Sequence, residues 1–348
     1  AATLAEMDSS AVALDALLAE EELREGMLRG TTRVVFELSI ADRVRETNTL
    51  EDSLDRNRSM IDEAAGAVLP QHLELAWEGA ARCQRELGNP DEALGLLREA
   101  ATVWEDTRNA PRDPEWREQR GSTGRLIYSQ LAALMMVDSA GDAFDAVQPF
   151  KARTLAERID GHETAADHSV MTLESLQNEI LTEDEVFLDA YLGPGESILF
   201  VVARDQCLAT AWPGERALAK RLRLYHEMLA TPPRGPRHEG SRKAVEAAGV
   251  RLSEDLLGDV AEMLRTKGRV ILAPDGELNL IPLAVPDHEA IWTRVPSATI
   301  LGVLRSRPDR SGSGRILAAA AATTPDGRPL PGAVREVEYI ARRFRQVD

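Results

Sequence analysis

Cysteine and long apolar runs are scarce in this 348-residue sequence, and both scarcities restrict what the protein can be. Its two cysteines, Cys83 and Cys207, lack the paired spacing of a zinc ribbon or a redox motif, so we expect a reducing, cytoplasmic compartment. No uninterrupted apolar stretch is longer than the seven residues of Ile316 to Ala322, whereas a bilayer-spanning helix needs about 20. The sequence therefore argues against a disulfide scaffold and against a membrane protein.

Basic residues are also in deficit, because 41 Lys and Arg stand against 58 Asp and Glu and leave a formal net charge of −17. A field of this sign repels phosphate backbones and anionic lipid surfaces, so we expect neither nucleic acid nor a membrane as a partner. Only four of the basic residues are lysines, which favours a GC-rich bacterial source. The 43% of hydrophobic residues can bury a core, and the length predicts about two domains.

Residues 1–160 carry apolar side chains at helical spacing, and one window, Leu73 to Thr107, has the spacing of a tetratricopeptide repeat (TPR) hairpin. Between its two predicted helices, Gly88 can end the first and Pro90 can open the second. Its small and large apolar positions are Trp77, Ala81, Ala93 and Ala100. The window therefore predicts a tight antiparallel pair of helices.

A second, related hairpin is predicted from Arg125 to Arg158, with its turn at Ser139 to Ala143. Proline and glycine residues between Arg108 and Thr123 predict a loop or a short insertion ahead of it. Polar residues without periodicity predict a linker over residues 161–184. We therefore assign residues 1–160 to a TPR-like helical repeat domain.

From residue 185 short apolar runs alternate with helical segments, which predicts an α/β domain with a largely buried sheet over residues 185–348. The predicted strands are Phe187 to Tyr191, Ser197 to Ala203, Cys207 to Trp212, Arg269 to Ala273 and Arg315 to Ala322. The predicted helices are Arg216 to Leu229, Leu252 to Leu264 and Ala333 to Arg345. Pro274-Asp275-Gly276 is a strong turn signal, and we interpret it, with Glu277, as the turn of a hairpin.

Several stretches of the second half, in the same order, resemble the CHAT domain, a caspase-like domain found downstream of TPR arrays. The most specific is Ile271 to Leu283, which is similar to the family's strand, Pro-Asp-Gly turn and return. The others are Lys151 to Glu157, Ser197 to Asp205, Arg294 to Leu304, and Leu330 to Ala333 with Glu336. The resemblance covers about residues 150–348, and the TPR-like window extends it to about residue 70.

CHAT proteins are cysteine endopeptidases in which a His ends one strand and the nucleophilic Cys ends the next. The resemblance implies that both follow the helix opened by Leu330 to Ala333. All six histidines of this sequence precede Arg315, and neither cysteine occupies a matching position, so we expect no catalytic residue and no cofactor within these 348 residues. Two explanations stay open, the amino-terminal piece of a longer protease or a dyad-less relative. We favour the piece, because a β/α unit cut off after one strand is an incomplete fold.

The loop after the predicted strand Arg315 to Ala322 is the candidate substrate-binding segment, because the resemblance implies that it lines the pocket for the residue before the cut. Thr323, Thr324 and Asp326 hold that place, and the Asp326 carboxylate could pair with a basic substrate residue; a plain β/α loop is the alternative. His162 and His168 are six positions apart instead of the four of a helical zinc motif, so we expect no metal site there.

The expected function is that of the regulatory and scaffold portion of a CHAT-family cysteine endopeptidase. In this interpretation the TPR surface binds a protein partner, and the carboxyl-terminal remainder of the protease domain cuts a protein substrate. The alternative is a non-catalytic TPR adaptor with a degenerate CHAT-like domain.

Overall fold

The computed structural model describes most of the chain. The described residues are 10–23, 31–47, 49–66, 70–107, 114–151, 170–230, 238–283, 289–306, 323 and 331–343. They divide into one compact unit that ends at Val303 and a second that comprises residues 304–348. No helix among these residues is both long enough and apolar enough to cross a bilayer.

The amino-terminal region consists of helices that pack pairwise, each against the next along the chain, which confirms the predicted helical hairpins. These helices are α1 (Ser10–Leu23), α2 (Thr31–Glu46), α3 (Leu50–Gly66), α4 (Pro70–Glu86), α5 (Pro90–Thr107), α6 (Pro114–Met135) and α7 (Ala140–Val147). After residue 169, α8 (Leu173–Ser175) continues into one turn of π-helix, Leu176–Ile180. Leu176 is fully buried, so this part of the predicted linker packs onto the core.

The turn between α4 and α5 has the predicted chemistry. Gly88 has a φ of +84°, a left-handed conformation that costs glycine little, and Pro90 is the first residue of α5. The small residues Ala81, Ala93 and Ala100 are buried where the helices meet, and Trp77 packs beside them with part of its ring exposed. Ser139 caps α7 by accepting a hydrogen bond from the Asp142 amide, so the turn predicted over Ser139 to Ala143 ends at Ser139 and its other residues begin the helix.

The prediction of a loop from Arg108 to Thr123 is wrong for its described part. Helix α6 begins at Pro114 and runs through both Gly121 and Gly124. A Cβ at Gly124 would collide with the Trp104 and Phe150 rings, so glycine is required there for close packing and does not end the helix. Residues 108–113 lie outside the described part of the chain.

The second region is built around a mixed sheet in the order β3-β2-β1-β4-β5. Its strands are β1 (Glu185–Tyr191), β2 (Glu196–Ala203), β3 (Gln206–Pro213), β4 (Arg269–Ala273) and β5 (Ile291–Arg294). Strands β1, β2 and β3 pair antiparallel, whereas β1, β4 and β5 run parallel. The remaining helices are α9 (Glu215–Ala230), α10 (His238–Leu257), α11 (Ala261–Arg265), α12 (Ala298–Ser306) and α13 (Pro331–Arg343), and α13 lies in the second unit.

The hairpin predicted at Pro274-Asp275-Gly276 does not form. Asp275 instead caps a 3₁₀ helix, Gly276–Leu280, and the chain returns to the sheet as β5, parallel to β4. The turn signal was correct, but a carboxylate that caps a helix and one that closes a hairpin look alike in sequence. The predicted strand Arg315 to Ala322 lies outside the described residues.

The sheet has a core on each face because alternate strand residues point to opposite sides. On one face, Phe187, Phe200 and Ile271 share a cluster with side chains of α5, α6 and α7, and the Phe144 ring meets the Phe200 ring edge-on at 5.7 Å. On the other face the buried residues include Val186, Leu222, Leu256, Val270 and Leu272, from the sheet and from α9 and α10. Helices α4 to α7 therefore share one continuous cluster with one face of the sheet.

Candidate functional site at the carboxyl ends of the parallel strands

A cavity of about 460 Å³ opens where the parallel strands end. Tyr191, Ala273 and Arg294 are the last residues of β1, β4 and β5, and parallel strands end at the same edge of a sheet. The cavity is lined by Arg125, Phe150, Lys151, Pro274, Asp275, Asn279, Arg294, Val295 and Pro296. It is also the edge at which open α/β sheets generally bind ligands. We call it the strand-end cavity.

Lys151, just after α7, lines the strand-end cavity and forms a buried ion pair with Asp189 of β1. The Lys151 ammonium donates to the Asp189 carboxylate and also to the carbonyl oxygens of Ala190 at 2.7 Å and Ala273 at 3.4 Å. The second Asp189 oxygen accepts a 2.8 Å bond from the Gln148 side-chain amide. Both charges are removed from water, so each depends on the other for compensation.

A second ion pair joins Arg125 of α6 to Asp275, which follows β4. The guanidinium donates to both carboxylate oxygens and to the Leu192 carbonyl at 2.8 Å, while the Leu192 amide donates back to Asp275 at 2.9 Å. Burial alone would raise the pKa of Asp275, but the charge of Lys151 and the bonds from Arg125 and Leu192 outweigh it and lower the pKa. Asp275 is therefore an ionised carboxylate whose two oxygens both accept hydrogen bonds.

Aromatic rings lie beneath the second ion pair. The Arg125 guanidinium carbon sits 5.7 Å from the Phe150 ring centroid and 5.9 Å from that of Tyr191, within cation–π range. The Tyr191 hydroxyl donates to the Arg125 carbonyl at 3.2 Å, and burial raises the pKa of that hydroxyl well above its usual value. The ion pair with Asp275 and the two aromatic rings thus hold the Arg125 side chain in place.

Arg294, the last residue of β5, is the third cation of the cavity. Its guanidinium donates to two main-chain oxygens, those of Asn279 at 3.1 Å and of Ile281. Within the described part of the chain no carboxylate pairs with it, whereas Arg125 and Lys151 each have one. Of the three cations that line the strand-end cavity, Arg294 is therefore the one without a carboxylate partner among the described residues.

Of the segment predicted to bind substrate, the structure describes one residue. Thr323 is exposed and makes an isolated bridge, and it belongs to the second unit. Thr324 and Asp326 lie outside the described residues, so their predicted role stays a prediction.

Burial raises the pKa of both cysteine thiols. The Cys83 thiol is buried and donates to the Ser53 hydroxyl at 3.2 Å, and burial raises its pKa. Cys207 is partly buried on β3, where burial and then the charge of Asp145 raise its pKa to about 12. In the part of the chain that the structure describes, no His, Cys, Asp and Glu side chains group into a metal site.

Sequence reasoning missed the residues that build this cavity. Asp189 had a local signal, since it is a charged residue inside an otherwise apolar strand and such a charge needs a buried partner. Arg125 and Arg294 had none, because their roles depend on partners that are distant in the chain. Lys151 and Asp275 stood out in the sequence only as parts of longer motifs.

A scan against models of known protein families and a search of curated proteins both found no match for this chain. What the structure establishes is a region of helical hairpins followed by a mixed five-stranded sheet with helices.

Proposed function

We propose that this chain is the regulatory and scaffold portion of a CHAT-family cysteine endopeptidase, in which the helical array binds a protein partner that controls cleavage of a protein substrate. The order of helical hairpins and α/β sheet agrees with the sequence motifs from Lys151 to Ala333 that resemble this family. The repeats would receive the partner, and the carboxyl-terminal remainder of the protease domain would perform the cleavage.

The observation that carries the proposal is the pair of ionic contacts between the helices and the strand ends. Arg125 on α6 and Lys151 after α7 bond to Asp275 and Asp189, which lie at or beside the ends of β4 and β1. A partner that shifts α6 or α7 must displace these charges. Binding at the helices would thereby be coupled to the sheet edge, as the proposed regulatory role requires.

The alternative is a non-catalytic TPR adaptor with a degenerate α/β domain. The raised pKa values of both thiols agree with either proposal, because neither requires Cys83 or Cys207 to attack a substrate. The natural coding sequence separates them. A strand-end His followed by a strand-end Cys after Asp348 favours the protease, and their absence favours the adaptor.

The test uses the protein that the natural gene encodes. We expect thiol-dependent cleavage of a protein substrate that is abolished by replacing the downstream Cys with Ser. Lys151→Met should weaken the dependence of cleavage on the partner, while Lys220→Met, an exposed substitution of the same type, should leave it unchanged. Cleavage that persists without the downstream Cys, or that responds equally to both lysine variants, would refute the proposal.

A further inference from the structure

We propose that the strand-end cavity binds a compact anionic group, a carboxylate or a phosphate, attached to an apolar body, and that Arg294 is the cation that contacts it. This inference does not depend on the proposed protease function. It would hold equally for an adaptor.

The charges around the cavity favour an anionic ligand. Asp275 neutralises Arg125 and Asp189 neutralises Lys151, so both pairs are internally balanced. Arg294 remains without a carboxylate among the described residues and lies at the mouth of the same cavity. The Arg294 cation attracts a negative group locally, against the repulsion from the net charge of −17, and the two balanced pairs neither cancel nor repel that group.

The geometry of Arg294 supports direct contact with that group. The carbonyl oxygens of Asn279 and Ile281 accept from its guanidinium and so fix the side chain in place. Arginine has five N–H donors in a planar fork, of which these bonds use two, and the fork matches the two oxygens of a carboxylate or phosphate. Because the side chain is already ordered, binding loses little rotamer entropy.

The remaining residues that line the cavity favour a ligand with an apolar body. Phe150, Pro274, Val295 and Pro296 form apolar walls, and the Asn279 amide is the remaining neutral polar side chain. Ligand cavities usually measure roughly 300 to 1,000 Å³ and combine apolar walls with a few polar groups. A volume of about 460 Å³ is large enough for an aromatic or aliphatic group that carries one anionic end.

Isothermal titration calorimetry of the 348-residue chain measures the affinity for phenyl phosphate, for phenylacetate, and for phenylacetamide as the neutral analogue. The variant is Arg294→Gln. Its matched control is Arg269→Gln, which makes the same charge change at the opposite end of the sheet. Arg269 begins β4, and its Nη1 lies 3.4 Å from Glu185 Oε1. Circular dichroism establishes that each variant folds.

We expect one or both anions to bind saturably, at least about tenfold more tightly than the amide, as a charge-assisted pair requires. Arg294→Gln should weaken binding by about tenfold or more, and Arg269→Gln should leave it unchanged. Binding should also weaken as salt is added. A preference for the phosphate or for the carboxylate would identify which anion the cavity takes.

Three results would overturn the inference: no saturable binding of either anion up to on the order of 10 mM, equal affinity for the amide, or equal affinity in Arg294→Gln and the wild type. If Arg294→Gln fails to fold, the amide and salt comparisons on the wild type decide, because binding insensitive to both refutes an anion site. None of these results bears on whether the natural protein cleaves a substrate.

Discussion

Arg125 and Asp275, which are 150 positions apart in the sequence, meet in a two-bond ion pair where the helical array contacts the strand ends. Their side chains are 25% and 16% exposed, so the pair is largely shielded from water. Partial burial of this kind makes the loss of one partner costly, because the other charge is left poorly solvated.

We expect Asp275→Asn to lower the free energy of unfolding by about 2 kcal/mol or more, since Arg125 would lose its counter-charge. Urea denaturation at neutral pH measures the change. Asp255→Asn is the matched control, because Asp255 pairs with Arg221 in an exposed contact, where an ion pair contributes less than about 1 kcal/mol. Equal effects of the two substitutions would show that the junction is not held by its charges.

The same carboxylate predicts how stability depends on pH. The pKa of Asp275 is lower in the folded protein than the roughly 3.9 of an unfolded aspartate. The unfolded chain therefore binds more protons between the two pKa values, so the contribution of Asp275 is complete above about pH 4 and is lost as the pH falls through the folded pKa. In denaturation curves, the stability difference between the wild type and Asp275→Asn should accordingly stay constant from pH 6 to about pH 4 and shrink below it. A stability difference that stays constant with pH would contradict this.

The buried pair predicts a larger effect. Lys151→Met should destabilise the protein by about 3 to 5 kcal/mol, because Asp189 is fully buried and would lose its cation. Lys220→Met, on an exposed position of α9, should change stability by less than about 0.5 kcal/mol. Adding Asp189→Leu to Lys151→Met should recover part of the loss. A double variant as unstable as the sum of its single variants would exclude coupling between the two charges.

Two helical glycines should respond oppositely to alanine. Gly124→Ala is expected to destabilise by about 1 to 3 kcal/mol, because the new Cβ would collide with Trp104 and Phe150. Gly95→Ala, in α5 with open space around it, should stabilise by about 0.5 to 1 kcal/mol through helix propensity. Thermal unfolding, followed by circular dichroism at about 222 nm near neutral pH, distinguishes the effects of the two substitutions. If both alanines stabilise, the interpretation of Gly124 as a packing residue is wrong.

The thiols provide a chemical prediction. Because the pKa of Cys207 is about 12 and that of Cys83 is also raised, iodoacetamide should modify both much more slowly in the native chain than in urea, where the pKa returns to about 8.5. Mass spectrometry measures the labelling of each cysteine.

The native chain should also leave intact a library of peptides with basic and acidic residues before the cut. Turnover that disappears in Cys207→Ala would place a catalytic dyad within these residues.

Features that depend on near neighbours in the chain could be predicted from the sequence. The turn at Gly88 and Pro90 is specified by the residues themselves, and the apolar run Ser197 to Ala203 forms most of β2. The overall order of helices followed by an α/β sheet is therefore confirmed.

The strand-end cavity could not be predicted because its contacts are long-range. Nothing near Arg125 in the sequence indicates that its partner is Asp275, and the same Pro-Asp-Gly motif fits a hairpin or a helix cap. Gly124 shows the same limit, since a glycine that breaks a helix and one that admits a neighbouring ring are identical in sequence. Only the folded chain brings Arg294 to the two balanced ion pairs.

The core that helices and sheet share also limits how this protein can be divided. Phe144 and Phe200 lie on opposite sides of any boundary drawn between the repeats and the sheet, yet each covers the other from water. Separating the two regions would leave an aromatic surface on both fragments. The described helices α1, α2 and α3 contribute no residue to that cluster, so an exchange of repeats for a different binding module would have to end before α4 to leave the sheet with its native lining.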